Sequence, residues 1–327
     1  MRFRVIGVVA LALLAPLRVV AQGDLKLTPE ERDSVLKNYH QIFPIWGRQA
    51  IERGYDLPTP LGFNVGWFGA EQNIIISDLA VGFNNPPEPA SFIGFEKAES
   101  KITNWNARVD LWVLPFLNFY LMAGTGDGQT KVFVSEPVKF ETEVDFKGSN
   151  FGMGLTGVYG FKGFFTVADF NHQWASSSLL QAAVPVNVFS GRLGRAFRVG
   201  ERSKRMKGTA WLGTMFQNMK NGTVGSVDLS TVFPPGSEGL FNDYQNSAWY
   251  QDLNTREKAL VDNFVARLQG AVDTTVVNYS LNKKMADPWN MLVGGTLDIG
   301  RHWGVRAEFG FIHRRSAFLM ANYRIPL

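Results

Sequence analysis

Residues 289–327 alternate between apolar and polar side chains in three consecutive blocks. The apolar positions are Trp289, Met291, Val293, Leu297 and Ile299, then Trp303, Val305, Ala307, Phe309 and Phe311, then Ala317, Leu319, Ala321, Tyr323, Ile325 and Leu327. Because successive side chains of a β-strand point to opposite faces, this period of two predicts strands with one apolar face. Three such strands in a row favour a transmembrane β-barrel, which turns apolar side chains to lipid and polar ones to its lumen. A soluble β-sandwich, which alternates in the same way, is the alternative.

Earlier parts of the chain repeat this alternation and bring the predicted barrel to about ten antiparallel strands, between roughly eight and twelve. The further strands begin at Leu61 and cover 103–113, 119–123, 139–159, 164–174, 184–197 and 209–217. The glycines of 124–128 predict a break after the third strand. Within 139–159 the apolar positions change from even residue numbers, as at Phe146, to odd ones, as at Leu155. This change predicts a bulge near Gly148. A hidden strand at 273–281 would raise the number to twelve.

The predicted connections differ in length between the two ends of the barrel. Short turns are expected at 115–118, 160–163, 200–207 and 300–303, whereas 74–95 and 219–286 form long connections. Outer-membrane barrels have short periplasmic turns and longer extracellular loops. With both termini periplasmic, the long connections fall outside the cell.

Two parts of the chain have helical patterns instead. In 22–59, Thr28, Pro29 and Glu31 predict a capped helix start, and this segment is expected to form a plug or a periplasmic cap. Within 219–286, apolar residues at helical spacing predict an amphipathic helix that starts at Asn254 and ends at Gly270. This helix lies in the outer loop or folds into the lumen.

The first 21 residues predict a secretory signal peptide, because Arg2 and Arg4 precede a short apolar run and small residues. Removing them, with Arg18, lowers Lys and Arg from 33 to 30 against 29 acidic residues, so the basic balance belongs largely to the leader. Nothing in the remainder indicates a nucleic-acid partner. The chain has no Cys, which excludes disulfides.

These features together resemble bacterial outer-membrane β-barrel proteins over about residues 60–327. The terminal strand is aromatic and alternating, although it closes on Tyr323, Arg324, Ile325, Pro326 and Leu327 rather than on Phe or Trp. The resemblance implies a Gram-negative-type envelope, lipid of the outer membrane as surroundings and folding by the barrel-assembly machinery. It implies no narrower family.

A set of charged side chains occupies the alternate positions that face the lumen in the predicted strands. These residues are Arg108, Asp110, Glu141, Glu143, Asp145, Asp169, Asp298, Arg306, Glu308 and Arg324. Enclosed charges are costly unless they are paired or hydrated. The set therefore predicts either a salt-bridge network that fills the lumen, or a narrow polar conduit or small-ligand site.

The residues that could support catalysis are few. His313 is suitably placed at an outer hairpin, but no Ser or Asp partner motif accompanies it, and His40, His172 and His302 have structural explanations. No pattern has zinc spacing, and the glycines of 124–128 open no helix, so no catalytic residue, metal or cofactor is assigned.

Three functions remain open at this point. The first is a narrow, porin-like barrel that binds or transports a small solute. The second is an outer-membrane enzyme that acts on lipid or peptide. The third is a structural or adhesive surface protein. A His–Ser or His–Asp pair at the outer rim would favour the second of these.

Overall fold

The computed structural model describes residues 26–161, 163–198, 206–219, 222–233, 239–270 and 275–327. In chain order the helices are α1 (Pro29–Lys37), α2 (Gly47–Glu52), α3 (Leu229–Val232), α4 (Ala248–Asp252) and α5 (Thr255–Gln269), with a 3-10 turn at Tyr244–Asn246. The strands are β1 (Leu61–Phe83), β2 (Glu88–Pro89), β3 (Gly94–Leu114), β4 (Leu117–Glu136), β5 (Phe140–Phe161), β6 (Phe164–Ser177), β7 (Val184–Arg198), β8 (Met206–Met219), β9 (Gly222–Asp228), β10 (Val276–Met285), β11 (Trp289–Ile299), β12 (Trp303–Phe311) and β13 (Arg314–Ile325). The predicted leader lies outside the described residues, as does most of the basic turn at 200–207.

Ten antiparallel strands close into one barrel, which confirms the predicted fold class and strand number. Their order is β1-β3-β4-β5-β6-β7-β8-β11-β12-β13, and β13 returns to pair with β1. The closing ladder runs from Leu61 opposite Ile325 to Gln72 opposite Arg314. Closure leaves none of these strands with a free edge in the membrane, where unpaired backbone groups are costly.

Three strands lie outside the barrel wall. Beyond Gln72, β1 pairs with β10 from Ile74 to Phe83, β10 pairs with β9, and the short β2 joins the other edge of β1. A strand therefore does follow residue 275, but it extends the sheet above the barrel and the barrel stays at ten strands. The extended parts of β1, β3, β4 and β5, together with β2, β9 and β10, are called the outer extension.

The strands are longer than the sequence predicts. The connection expected at 74–95 contains the end of β1 and the start of β3, and β4 runs unbroken through 124–128. Glycine is required here by close packing against β3 rather than by a turn, because a Cβ on Gly126 would clash with the carbonyl oxygen of Thr103. The break predicted at 124–128 is therefore wrong.

Strand β5 also pairs with β4 without any register shift around Gly148. The predicted bulge is absent, so the two faces of β5 keep the same parity along its length. Glu141, Glu143 and Asp145 share the exposed face with Phe151 and Leu155.

The helices follow the predicted capping signals. Thr28 and Glu31 form the capping box of α1, and Asn254 and Glu257 form that of α5, which ends at Gly270. Helix α5 packs with α3, α4 and residues 239–247 over the outer extension, and this group is called the outer module. Its apolar core contains Phe241, Tyr244, Tyr250, Val261 and Val265.

The outside of the barrel carries a wide apolar surface. Trp105 is 61% exposed and Leu212 60% exposed, and the neighbouring strands add Phe63, Val65, Leu121, Phe151, Leu155, Phe170, Phe189, Val293, Val305 and Leu319. A surface of this kind is stable against hydrocarbon and not against water. Among the described residues, no helix is both long and apolar enough to cross a bilayer.

Candidate functional site: the barrel lumen

A cavity of about 1860 Å³ occupies the barrel end that holds the short turns. This is the end that the sequence predicts to be periplasmic, because outer-membrane barrels have their short turns on that side. Residues 26–59, called the N-terminal cap, lie below the cavity and contribute Val35, Trp46, Ala50 and Tyr55 to its lining. The upper wall consists of inward-facing side chains of the barrel strands.

The cap is attached to the barrel rim at several points. The backbone N–H groups of Ile42 and Ile45 donate to the carbonyls of Leu327 and Val113, at 3.2 and 2.9 Å. Lys207 at the start of β8 forms an ion pair with Asp56. Asp298 also lines this part of the cavity.

The lower lumen contains a neutralised carboxylate. Asp110 accepts hydrogen bonds from Arg324 Nη2 at 2.8 Å and from the amides of Asn64 and Asn118 at 2.7 Å each. Arg324 also donates to the backbone carbonyls of Thr59 and Pro60. This cluster therefore links four barrel strands to the end of the cap.

The centre of the lumen is crossed by a second cluster, called the central network. Glu308 accepts two hydrogen bonds from Arg192, at 2.6 and 3.0 Å, one from Trp211 Nε1 at 2.8 Å and one from Arg306 at 3.0 Å. Two guanidinium groups thus share a single carboxylate. Charge-assisted, bidentate contacts of this kind hold their partners in a fixed geometry.

Glycines make room for these large side chains. A Cβ on Gly294 would lie 2.9 Å from the Trp211 ring, and one on Gly154 would lie 2.4 Å from the Tyr120 ring. The interior thus alternates bulky and small residues on facing strands.

A third cluster connects the other two. Asp169 accepts a hydrogen bond from Thr156 at 2.6 Å and from the Tyr120 hydroxyl at 3.2 Å. The guanidinium of Arg108 lies 3.5 Å above the Tyr120 ring and donates to Asn118 at 3.0 Å. The lumen is therefore crossed by charged side chains rather than by an apolar core.

Most of the predicted lumen residues lie together in this region, but not all. Arg108, Asp110, Asp169, Asp298, Arg306 and Arg324 line the cavity, and Glu308 holds the central network. Glu141, Glu143 and Asp145 do not belong there, because the face of β5 does not switch at Gly148. Instead, Glu141 pairs with Lys131, and Gln129 donates to Glu143 and Asp145 on the outer face.

The sequence prediction missed several lumen residues. Arg192, Trp211 and Tyr120 each have inward parity within a predicted strand, so parity could have identified them. Arg314 precedes the last strand predicted from Ala317, yet it is 4% exposed and its backbone pairs with Gln72. It donates to the side-chain oxygens of Gln72 and Gln217, while its Nε and Nη2 have no partner among the described residues.

The outer rim has one pair that bears on catalysis. His313 Nδ1 lies 3.4 Å from a carboxylate oxygen of Asp287, and both side chains are half exposed. No hydroxyl hydrogen bond to His313 occurs among the described residues. Nor do the described residues include a group of three His, Cys, Asp or Glu side chains that could hold a metal ion.

Outside the membrane, the outer module has a polar centre of its own. Asp262 accepts hydrogen bonds from Tyr244 at 2.6 Å and Tyr250 at 2.9 Å, and these donors hold the pKa of its carboxyl below the usual value. Burial and the same contact raise the pKa of Tyr244 to about 12. This cluster joins α4 to α5.

No protein-family model matches the chain, and no curated protein matches its sequence. Among solved structures it is similar to the transport unit of the autotransporter AIDA-I from Escherichia coli, with a TM-score of 0.35 at 9% identity over 82% of this chain and 90% of that one. The beta domain of the Bordetella autotransporter BrkA has a TM-score of 0.35 at 8% identity over 83% and 100%. An outer membrane channel from Pseudomonas putida F1 has a TM-score of 0.31 at 7% identity over 82% and 96%.

The closed barrel, its apolar exterior and its charged interior define the class without support from these distant likenesses. A ten-stranded antiparallel barrel of this kind is a bacterial outer-membrane β-barrel, and the outer membrane is where the protein lies.

Proposed function

We propose that the protein is a narrow, gated conduit for small polar solutes across the outer membrane. The observation that carries this proposal is the cavity of about 1860 Å³ between the N-terminal cap and the central network. Its wall combines charged groups of both signs with aromatic rings, a lining suited to a polar solute and its water. A barrel built only for structural support has no need of such a space.

In this proposal the central network is the constriction and the cap is the gate. Ten strands leave little room beyond the side chains, so passage requires Arg192, Arg306 and Trp211 to shift slightly around Glu308. The cap closes the periplasmic end through a small number of contacts, of which the Lys207–Asp56 ion pair is one.

The test is conductance of the full mature chain in a planar lipid bilayer. We expect small discrete current steps interrupted by closures. Lys207→Ala removes the ion pair with Asp56, so the open state is expected to last longer. Lys101→Ala is the matched control, since Lys101 pairs with Glu71 on the outside of the barrel. A silent bilayer with protein demonstrably inserted would contradict the proposal.

A second candidate function rests on the His313–Asp287 pair at the outer rim. Such a pair is one part of a hydrolytic site, and a substrate or a rearranged loop would have to supply or position the nucleophile. Unchanged hydrolysis of lipid and peptide substrates by His313→Ala and wild-type protein would remove this candidate.

A further inference from the structure

The charges at the centre of the lumen do not balance. Arg108, Arg192 and Arg306 lie on this stretch, whereas the carboxylates beside them are Asp169 and Glu308. Asp110 does not correct the difference, because its charge is already matched by Arg324 at 2.8 Å. One guanidinium is thus left without a carboxylate of its own.

Arg108 is that guanidinium. Its hydrogen bond goes to the neutral amide oxygen of Asn118, and its Nε has no partner among the described residues. Neither neighbouring carboxylate binds it, because Asp169 accepts from Tyr120 and Thr156, and Asp110 accepts from Arg324 and two asparagine amides. The Tyr120 ring supports the guanidinium from one side at 3.5 Å, which fixes its plane while leaving it next to the cavity.

Arg306 has a similar arrangement. Arg306 donates one hydrogen bond to Glu308, which already accepts two from Arg192. The Nε of Arg306 has no partner in the described part of the chain. Its guanidinium lies 5.3 Å from the Trp211 ring and 5.6 Å from the Phe318 ring. Guanidinium groups beside aromatic rings are suited to planar, bidentate recognition of carboxylate or phosphate.

The excess of positive charge continues toward the outer mouth. Arg314 faces the lumen with amide oxygens as its side-chain partners. Arg306 pairs with Met320, six positions along β13 from Arg314. At about 3.3 Å per residue this places the two levels roughly 20 Å apart along the strand. Arginines without matched carboxylates therefore occur at both levels of the barrel.

We infer that the lumen takes small anionic solutes, with a carboxylate or phosphate group received by Arg108 and Arg306 in the cavity. This inference rests on the proposed function and specifies its solute class. At the level of Arg108 and Arg306, each carboxylate oxygen of Asp110, Asp169 and Glu308 already accepts a hydrogen bond from a protein donor, which disfavours a cation there.

The test is the sign of the reversal potential under a potassium chloride gradient across a bilayer that contains the full mature chain. We expect anion selectivity. Arg108→Gln removes a cation without stripping a carboxylate of its partner, and it should lower the chloride-to-potassium permeability ratio by about tenfold if the charge acts at close range in a poorly screened lumen. Lys101→Gln, on the outer face, should leave the ratio unchanged.

Separate additions of succinate and inorganic phosphate distinguish the two ligand chemistries. Each is expected to block the chloride current, and the lower half-blocking concentration identifies the preferred group. Cation selectivity, or a ratio unchanged in a folded Arg108→Gln protein, would overturn the inference while leaving the conduit intact.

A bilayer without current defeats the conduit and calls for a binding measurement instead. In detergent, the fluorescence difference between the wild type and a Trp211→Phe protein reports on the central network, in which Trp211 lies. Saturable quenching by succinate or phosphate that is lost in Arg108→Gln would support the anion site by itself. Absence of saturable quenching by either anion would overturn it.

Discussion

The lumen and the outer module are two interiors stabilised by opposite means. The lumen is organised around Glu308, a buried carboxylate bound by Arg192, Arg306 and Trp211. The outer module has an apolar core in which Val261 is 0% exposed, and Asp262 accepts hydrogen bonds from two of its tyrosines. The barrel can bury charge because its backbone groups are already hydrogen-bonded between strands and its apolar side chains make their contacts with lipid. The module has no such wall and must make its core from side chains.

The largest expected effect comes from removing the carboxylate of the lumen. Glu308→Ala leaves Arg192 and Arg306 buried without a counter-charge, which should lower the free energy of unfolding by about 3–5 kcal/mol. Guanidinium titration of the protein in detergent micelles, followed by tryptophan fluorescence, measures this loss.

Glu143→Ala is the control, because Glu143 lies on the exposed face of β5, away from the lumen. It should change the free energy of unfolding by less than about 0.5 kcal/mol. Equal midpoints for the two variants would show that the central network contributes no stability.

Much of the barrel can be predicted because its signal is local. The rows Trp303 to Phe311 and Ala317 to Ile325 show the strand period directly, and one face must be apolar in lipid. The same reasoning failed for β5. Above the membrane its outer face meets water, so Glu141 and Glu143 occupy the positions that Phe151 and Leu155 occupy below. The outer face of β5 therefore changes from charged to apolar, although the alternation of its side chains continues unchanged.

The site could be predicted only in part, because its contacts are not local. Arg192 and Glu308 are 116 residues apart, and Trp211 and Glu308 are 97 apart. The alternation within a strand predicts that each of these side chains points into the lumen. It does not predict which strand the side chain faces or where it lies along the barrel axis. The ladder between β11 and β8, which skips over β9 and β10, sets those positions. No alternation within a strand reports this pairing.

A smaller effect is expected in the outer module. Val261→Ala removes buried methyl groups and should weaken the module by roughly 2 kcal/mol. If the two interiors are independent, faster amide hydrogen exchange will be confined to α4 and α5. The amides of β11 to β13 should keep their protection.

Ala266→Gly, a change in the same helix that removes no core side chain, offers a comparison for the helix itself. It should cost up to about 1 kcal/mol through backbone freedom alone. If Val261→Ala also accelerates exchange in the barrel strands, the module and the lumen form one cooperative unit and the comparison fails.

The smallest expected effect is a response of the module to pH. Hydrogen bonds from Tyr244 and Tyr250 hold the pKa of Asp262 below that of the unfolded chain, whose ordinary value is 3.8. The carboxylate thus stabilises the module above that value, and this contribution is lost as the pH falls through the lower, folded pKa. Near-ultraviolet circular dichroism should show the tyrosine environment loosening in acid.

Asp262→Asn should be looser already at neutral pH and should lose this acid response, because its amide does not titrate. Asp252→Asn replaces an exposed acid at the end of α4 and should keep the wild-type profile. An identical acid profile for wild type and Asp262→Asn would assign the response elsewhere. The charges of the lumen would then be the groups to examine, since the module contributes no other acid bound by buried tyrosines among the described residues.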